Sequence, residues 1–442
     1  MLDRLHKFMY KLMPDGTEKQ IHPFTGTEVW IIPGRKNKPK PGKDKVKPVK
    51  ITPRSPEDYC DFCEAKYFNT PPEKGRVIKV NGKYEILDRI DAENVNQAAA
   101  EFRRIPNLFE IVSYDYWYKN YEYRLGPKNR EWKERYLSSE TGYNHVMSVV
   151  ETKLSYMGYS KKEIQNLPLD EKLYHADAFF GGCHELIVPR HHYINGDDNL
   201  LQKCSSGELT PEQHFQYFRF TIHAMEDIYE SNRYVRYISV FQNWLEEAGA
   251  SFDHLHTQLV ALDEWGGSVD RELELARNNP NMYNEYAANF AGYKNLVLAE
   301  NDYAMAFCDL GHRYPTVAVY SKSVQSGPSL HTPEELRGFA NMVHAIHAAM
   351  GVGRPRNEEW YYQPRDAITP MPWHILIKWR KNIAAGFEGG TKIYVNPIRL
   401  TDLRDLIVPE LFELREKGKI ANIRIADECP VKPNSLKYYL KS

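Results

Sequence analysis

The densest chemistry in the chain lies in Gly249-Ala250-Ser251-Phe252-Asp253-His254-Leu255-His256-Thr257-Gln258, which runs into the apolar Leu259-Val260-Ala261-Leu262. A small-residue turn followed by alternating residues predicts a strand over 254–262, and side chains two apart on a strand share a face. His254, His256 and Gln258 would then line one surface, suited to binding metal, attacking phosphorus and donating hydrogen bonds to phosphate oxygens. A neutral imidazole attacks phosphorus well once a hydrogen bond at its other nitrogen fixes the tautomer. Gln258 would donate to the non-bridging oxygens as charge develops on them. The turn leaves backbone N–H groups and the Ser251 hydroxyl open to the same phosphate. A pair of core histidines on a half-buried strand is the bland alternative. It accounts for one histidine, but not for two with a glutamine after Gly-Ala-Ser.

Cys60-Asp61-Phe62-Cys63 has the two-residue gap that lets two thiolates bind one tetrahedral metal ion. A redox pair is the alternative, but no βαβ pattern surrounds it. Two further ligands must come from elsewhere: His254 is one candidate, and His191 or His192, just past the strand ending Val188-Pro189, is another. His256 is then left free as nucleophile. Asn243 stands eight residues before Ser251 and either binds phosphate or ribose or caps a turn. Arg35 and Lys38 sit just off a short strand, where a cation can be held against an anionic ligand.

These groups need elements to position them, and 442 residues are enough for two or three domains. Net charge is −1 with both signs mixed, so no global field argues for nucleic acid or a membrane surface. No apolar run approaches a membrane span, and the six scattered cysteines are not a disulfide framework. A reducing cytoplasm is the expected compartment.

Residues 1–50 read as a basic lead-in, a Pro/Gly turn with a short apolar strand over 21–33, and a Lys/Pro-rich tether. Residues 114–180 form a Tyr-, Lys- and Glu-rich helical insertion without a chemical motif, read as a lid or a subunit contact. From Gly181 onward the chain repeats. Strand Glu185–Pro189, a helix capped by Thr210-Pro211-Glu212-Gln213, and strands Tyr234–Asn243 and 254–262 form one copy. Strand Thr316–Ser321, a helix capped by Thr332-Pro333-Glu334-Glu335, and strands Glu359–Gln363 and Trp373–Arg380 form the other. Cap Thr to motif His is 44 residues in the first copy and 42 in the second, counting 210 to 254 and 332 to 374. Matching order and spacing predict a duplicated α+β unit, with boundaries at 51–265 and 266–442.

Taken together, these pieces resemble the galactose-1-phosphate uridylyltransferase family, the nucleotidyltransferase branch of the histidine-triad superfamily. The likeness rests on Phe24-Thr25-Gly26 through Val29-Trp30-Ile31-Ile32-Pro33-Gly34-Arg35 with Lys38-Pro39, Cys60-x-x-Cys63, and Pro106-Asn107-Leu108-Phe109. It continues through His184–Val188, Asn243 with Gly249-Ala250-Ser251-x-x-His254-x-His256-x-Gln258, and Trp373-His374-Ile375 to Asn396-Pro397. The resemblance implies a duplicated histidine-triad α+β fold, with antiparallel sheets and helices on one face. It implies ping-pong transfer between a nucleotide sugar and a sugar 1-phosphate, with His256 as covalent nucleophile and Gln258 steadying the phosphoryl group. Cys60, Cys63, His192 (or His191) and His254 would bind one Zn²⁺ per chain, because Pro372 removes a ligand of the second metal site that some members carry. Asn107, Asn243 and Ser251 would contact the nucleotide, and Arg35 and Lys38 its phosphates. Phe387 and Glu388 would face the sugar across a homodimer interface.

Overall fold

In the computed structural model, which describes residues 8–33, 49–50, 59–195, 200–380 and 386–441, both expected capping boxes form. Thr210 Oγ1 accepts the Gln213 N–H while the Gln213 side chain accepts the Thr210 N–H, starting the helix Pro211–Ser231. Thr332 and Glu335 start Pro333–Met350 in the same way. Phe215, Phe218, Ile222 and Met225 on the first helix are buried, as are Leu336, Phe339, Val343 and Ile346 on the second. Each such side chain contributes about 1.5–3 kcal/mol on burial, so packing of these stripes holds the helices more than propensity does.

The two helices pack against each other and against a 12-stranded antiparallel sheet. The first copy supplies β5 (Gly75–Val80), β7 (Ala100–Pro106), β8 (His184–Pro189), β11 (Tyr237–Trp244) and β12 (Thr257–Leu262). The second supplies β13 (Val297–Glu300), β14 (Ala304–Asp309), β15 (Thr316–Ser321), β16 (Arg356–Tyr361) and β17 (His374–Trp379), and β6 (Lys83–Asp88) and β19 (Arg424–Ile425) close the edges. From the centre outward, β11-β12-β8-β7-β5 mirrors β16-β17-β15-β14-β13. The copies meet at the β11/β16 pair, where Phe241 faces Glu359 and Asn243 faces Asn357. This is the expected duplicated α+β arrangement. Strands β14 and β15 are buried at every residue, and so read as continuous apolar runs rather than alternating ones.

A smaller sheet joins β1 (Tyr10–Leu12), β2 (Glu18–Ile21) and β3 (Glu28–Ile31) to β18 (Ile393–Asn396), which runs parallel to β3. A third joins β4 (Val49–Lys50), β10 (Leu200–Lys203) and β9 (Tyr193–Asn195). The insertion is five helices between Tyr114 and Gly181. Its Trp117, Trp132, Tyr136, Phe179 and Phe180 are buried, and Trp132 Nε1 donates to the Ile90 carbonyl, so it is packed into the first copy's core. No helix of the described residues is long and apolar enough to cross a membrane.

Three strands depart from expectation by more than one residue. Strand β12 begins at Thr257, so His254 and His256 lie on the bent approach to it. The reason is local: the His254 carbonyl accepts from the His256 ring at 2.8 Å instead of from a neighbouring strand. Strand β11 begins at Tyr237, three residues late, after Asn232 Oδ1 takes the Tyr234 N–H in a turn. Strand β16 spans Arg356–Tyr361 instead of 359–363, in register with β11.

Candidate metal cluster and nucleophile

Four ligand-type residues from three separate segments converge. Cys60 Sγ lies 3.7 Å from Cys63 Sγ and 3.5 Å from His254 Nδ1. Cys63 Sγ lies 3.6 Å from His192 Nδ1 and 3.8 Å from His254 Nδ1. Metal–sulfur bonds of about 2.3 Å and metal–nitrogen bonds of about 2.05 Å in a tetrahedron require edges of roughly 3.8 Å between sulfurs and 3.6 Å from sulfur to nitrogen. The observed edges match, so the donor set fits one tetrahedral ion. The choice left open between adjacent histidines resolves to His192, which is buried in the cluster, whereas His191 is exposed. His254 Nε2 donates to the Pro189 carbonyl at 2.7 Å, which leaves Nδ1 deprotonated toward the cluster. Cys63 is pushed down by its contact with Cys60 and by the two imidazoles.

The same local bend sets up His256. Its Nδ1–H donates to the His254 carbonyl, so Nε2 carries the lone pair, and burial holds the ring below its ordinary pKa. Phe62, from the Cys-x-x-Cys turn, stands 5.6 Å from the His256 ring and 4.8 Å from Phe252. Gly249, at φ +86°, has the left-handed backbone that the turn into this approach requires. Ser251 is exposed on that turn.

Gln258 Oε1 lies 3.1 Å from His184 Nε2. His184 Nδ1 accepts the Ile111 N–H at 2.9 Å, so Nε2 bears the proton and donates it to Gln258, which fixes the amide with its NH₂ turned away from His184. Asn107 stands beside this pair: its N–H donates to the His184 carbonyl at 2.8 Å and its Oδ1 accepts the Phe109 N–H, so its Nδ2, close to the protonated Nε2, is left as a second donor and not as a partner of that ring. Asn243 caps no turn. It sits on β11 with Oδ1 accepting from Asn357 Nδ2 at 2.6 Å, a clasp from the other copy.

A scan of family models matches residues 13–438 to a domain of unknown function, DUF4921. The chain belongs to the DUF4921 family. No curated protein sequence matches it. Among solved structures, an ADP-glucose phosphorylase from Arabidopsis thaliana with bound ADP-glucose aligns at TM-score 0.56 and 16% identity, over 89% of this chain and 98% of that one. A GalT-like protein from Arabidopsis thaliana aligns at 0.55 and 16%, over the same shares. At such identity these likenesses show the fold alone, one shared with those two proteins.

Within this DUF4921 chain the structure brings Cys60, Cys63, His192 and His254 together. It joins Asn107 to Gln258 through His184, a residue to which sequence reasoning assigned no role. The signal for it was the pairing of β8 with β12, which sets Leu186 opposite Gln258. Arg35 and Lys38 lie outside the described residues. Phe387 is exposed and Glu388 half-buried on a short helix, Gly386–Thr391, ahead of β18. A second group of ligand-type atoms brings His22 of the N-terminal segment to Asp309 and His312 of the other copy.

Proposed function

We propose that the chain catalyses nucleotidyl transfer from a nucleoside diphosphate sugar by way of a covalent nucleotidyl-histidine at His256. The observation that carries this reading is a constellation: a buried ring whose Nδ1–H is tied to the carbonyl of His254, itself a member of the Cys/His cluster, with Gln258 two residues on held at its Oε1 by His184. Nε2 attacks the α-phosphorus, the bond to the sugar phosphate breaks, and the sugar 1-phosphate leaves. The ring becomes cationic, and its hydrogen bond to the His254 carbonyl strengthens as it does. Gln258 presents its NH₂ to the non-bridging oxygens, since His184 holds the other end. An acceptor phosphate then takes the nucleotidyl group and restores the imidazole. Asn107, Asn243 and Ser251 would contact the nucleotide, with Arg35 and Lys38 on its phosphates and Phe387 and Glu388 reaching the sugar from a second subunit of a homodimer.

Cys60, Cys63, His192 and His254 would hold zinc, whose part is to rigidify the carbonyl that orients His256. A second reading, with inorganic phosphate as acceptor, is favoured by the likeness to an ADP-glucose phosphorylase. Intact-mass spectrometry after incubation with UDP- and ADP-sugars tests the shared step: an added nucleotidyl mass is expected, absent in His256→Ala. Exchange of labelled sugar 1-phosphate into the nucleotide sugar, set against release by inorganic phosphate, separates the two acceptors.

A further inference from the structure

The second copy keeps an imidazole where the first keeps His256. His374 Nδ1–H donates to the carbonyl two residues back, Pro372 at 2.9 Å, as His256 does to His254 at 2.8 Å. One cross-strand row, Gln258–Phe241–Glu359–Leu376, runs across both copies and places Leu376 where the first has Gln258. Directly paired residues share a face, so both imidazoles lie on one side of the sheet. The faces of the His374 ring are covered by Tyr320 at 4.4 Å and Tyr361 at 5.2 Å, both stacked. His374 lines a cavity of about 370 Å³.

Hydrogen bonds settle what this cavity presents. His22 Nδ1 accepts the N–H groups of Phe24 and Thr25, at 3.3 and 3.1 Å, so its Nε2 carries the proton and faces Asp309 Oδ2 at 3.9 Å. His312 Nε2 donates to the same oxygen at 2.7 Å. A ring whose Nε2 is protonated is not ready to ligate through that atom, so this trio reads as two N–H donors around one carboxylate and not as a metal site. His312 Nδ1 and His374 Nε2 are left with lone pairs, and among the described residues neither has a hydrogen-bond partner. Glu272 accepts from Tyr283 through one oxygen at 2.9 Å. Burial lifts that carboxyl to about 7, so it can accept from or donate to a hydroxyl near neutrality. The interior is therefore rich in acceptors.

The outer wall is cationic. Arg313 is exposed, Lys378 is half-buried and held by Glu359 at 2.5 Å, and Arg380 is half-buried over Tyr314. Arg380 also donates to Asn357 Oδ1 at 2.6 Å, one hydrogen bond from the Asn243 clasp. The volume falls at the low end of ligand pockets, the scale of a monosaccharide phosphate and too small for a whole nucleotide sugar.

We propose that this cavity binds a small polyhydroxylated molecule carrying one phosphate, with its hydroxyls on His312, His374 and Glu272 and its phosphate on Arg313, Lys378 and Arg380. Nothing in this depends on the chemistry of His256. Isothermal titration of the His256→Ala chain, with excess UMP or AMP present to occupy the first copy, tests it with four probes: hexose 1-phosphate, hexose 6-phosphate, free hexose and inorganic phosphate. One hexose phosphate is expected to bind saturably, at least tenfold tighter than free hexose or phosphate. Glu272→Gln and, independently, Ser268→Trp, which plugs the cavity from an exposed position, should each weaken it at least tenfold. Absence of binding overturns the proposal, as does inorganic phosphate binding as tightly as the sugar phosphate, or binding unmoved by both substitutions. A second equivalent of bound metal that disappears in Asp309→Asn would overturn it too, and would reassign the cavity to a cation.

Discussion

The orientation of Gln258 is the most exposed part of the proposed chemistry, because it rests on one hydrogen bond. Replacing His184 with Leu removes the Nε2–H that holds Oε1 at 3.1 Å. A neutral intramolecular hydrogen bond is worth about 0.5–1.5 kcal/mol net, and about 1.36 kcal/mol is a factor of ten in rate. If all of that bond acts by favouring the productive flip of the amide, His184→Leu should slow nucleotidyl transfer by roughly 2- to 12-fold. Deleting the donor itself is worse: losing one preorganised donor on a developing oxyanion costs about 10²–10³ in rate, so Gln258→Leu should fall in that range. The discriminating result is the double variant, which should be no slower than Gln258→Leu, since the histidine then has no amide to orient. Rapid-quench intact-mass measurement of adduct formation gives each rate, and thermal melts report the separate cost of orphaning the Ile111 N–H. His184→Gln, which keeps both an acceptor and a donor, should recover most of the rate. A full multiplicative loss in the double variant would refute the reasoning and place the action of His184 elsewhere.

Other expectations follow from the same coordinates. Cys63→Ser removes the thiolate that contacts both cluster imidazoles, so elemental analysis should show metal content falling together with stability, by about 3 kcal/mol or more given what structural zinc contributes. In contrast, His191→Ala should leave metal content unchanged while His192→Ala loses it. Asn357→Ala frees Asn243 and the Ala248 carbonyl and should raise KM for the nucleotide sugar several-fold with little change in kcat. His145, bonded to Tyr136 Oη at 2.7 Å and to the Thr70 carbonyl at 2.8 Å, is lowered by burial to about 4 from 6.5. Its folded pKa lies below its unfolded value, so the unfolded chain binds the extra proton and stability is lost as pH falls from 6.5 toward 4, by about 2 kcal/mol at pH 5. Urea melts of the wild type and His145→Gln at pH 7 and pH 5 should differ in their pH dependence by that amount; equal dependence would remove His145 as a cause.

What the sequence made legible was what local physics decides. Thr210 and Thr332 announce their helices within four residues, and the apolar stripes that follow need only the helical period. The Cys-x-x-Cys gap and the His-x-His-x-Gln spacing are local as well, which is why three residues of the cluster and a candidate nucleophile are legible there. The misses are non-local. His184 matters because it meets Gln258, 74 positions away, and Ile111, 73 positions away. The sequence offers Asn243 as a phosphate or ribose contact or as a turn cap, whereas its hydrogen-bond partner Asn357 lies 114 residues further on, in the other copy. The ladder was expected to start at His254, but the histidine ring itself takes the carbonyl that pairing would have used.

The two copies diverge around a shared imidazole. Both retain an imidazole with Nδ1–H tied two residues back, so that geometry alone does not make a nucleophile. In the first copy β12 pairs with β8 and β11, where Val188 and Asn243 lie near the His256 approach; in the second, β17 pairs His374 with Tyr320 and Tyr361. Stacking on both faces confines the His374 ring, and Leu376 provides no amide to meet charge on a phosphoryl oxygen. Two residues before His256 stands His254 of the candidate metal cluster and two after it Gln258, whereas the same positions around His374 hold Pro372 and Leu376. The differences fall on the groups that would anchor the ring and stabilise a transition state, and not on the ring itself. Putting the amide back alone, as Leu376→Gln, should therefore produce no nucleotidyl adduct at His374, and an adduct there would show that the anchored carbonyl at His254 is dispensable.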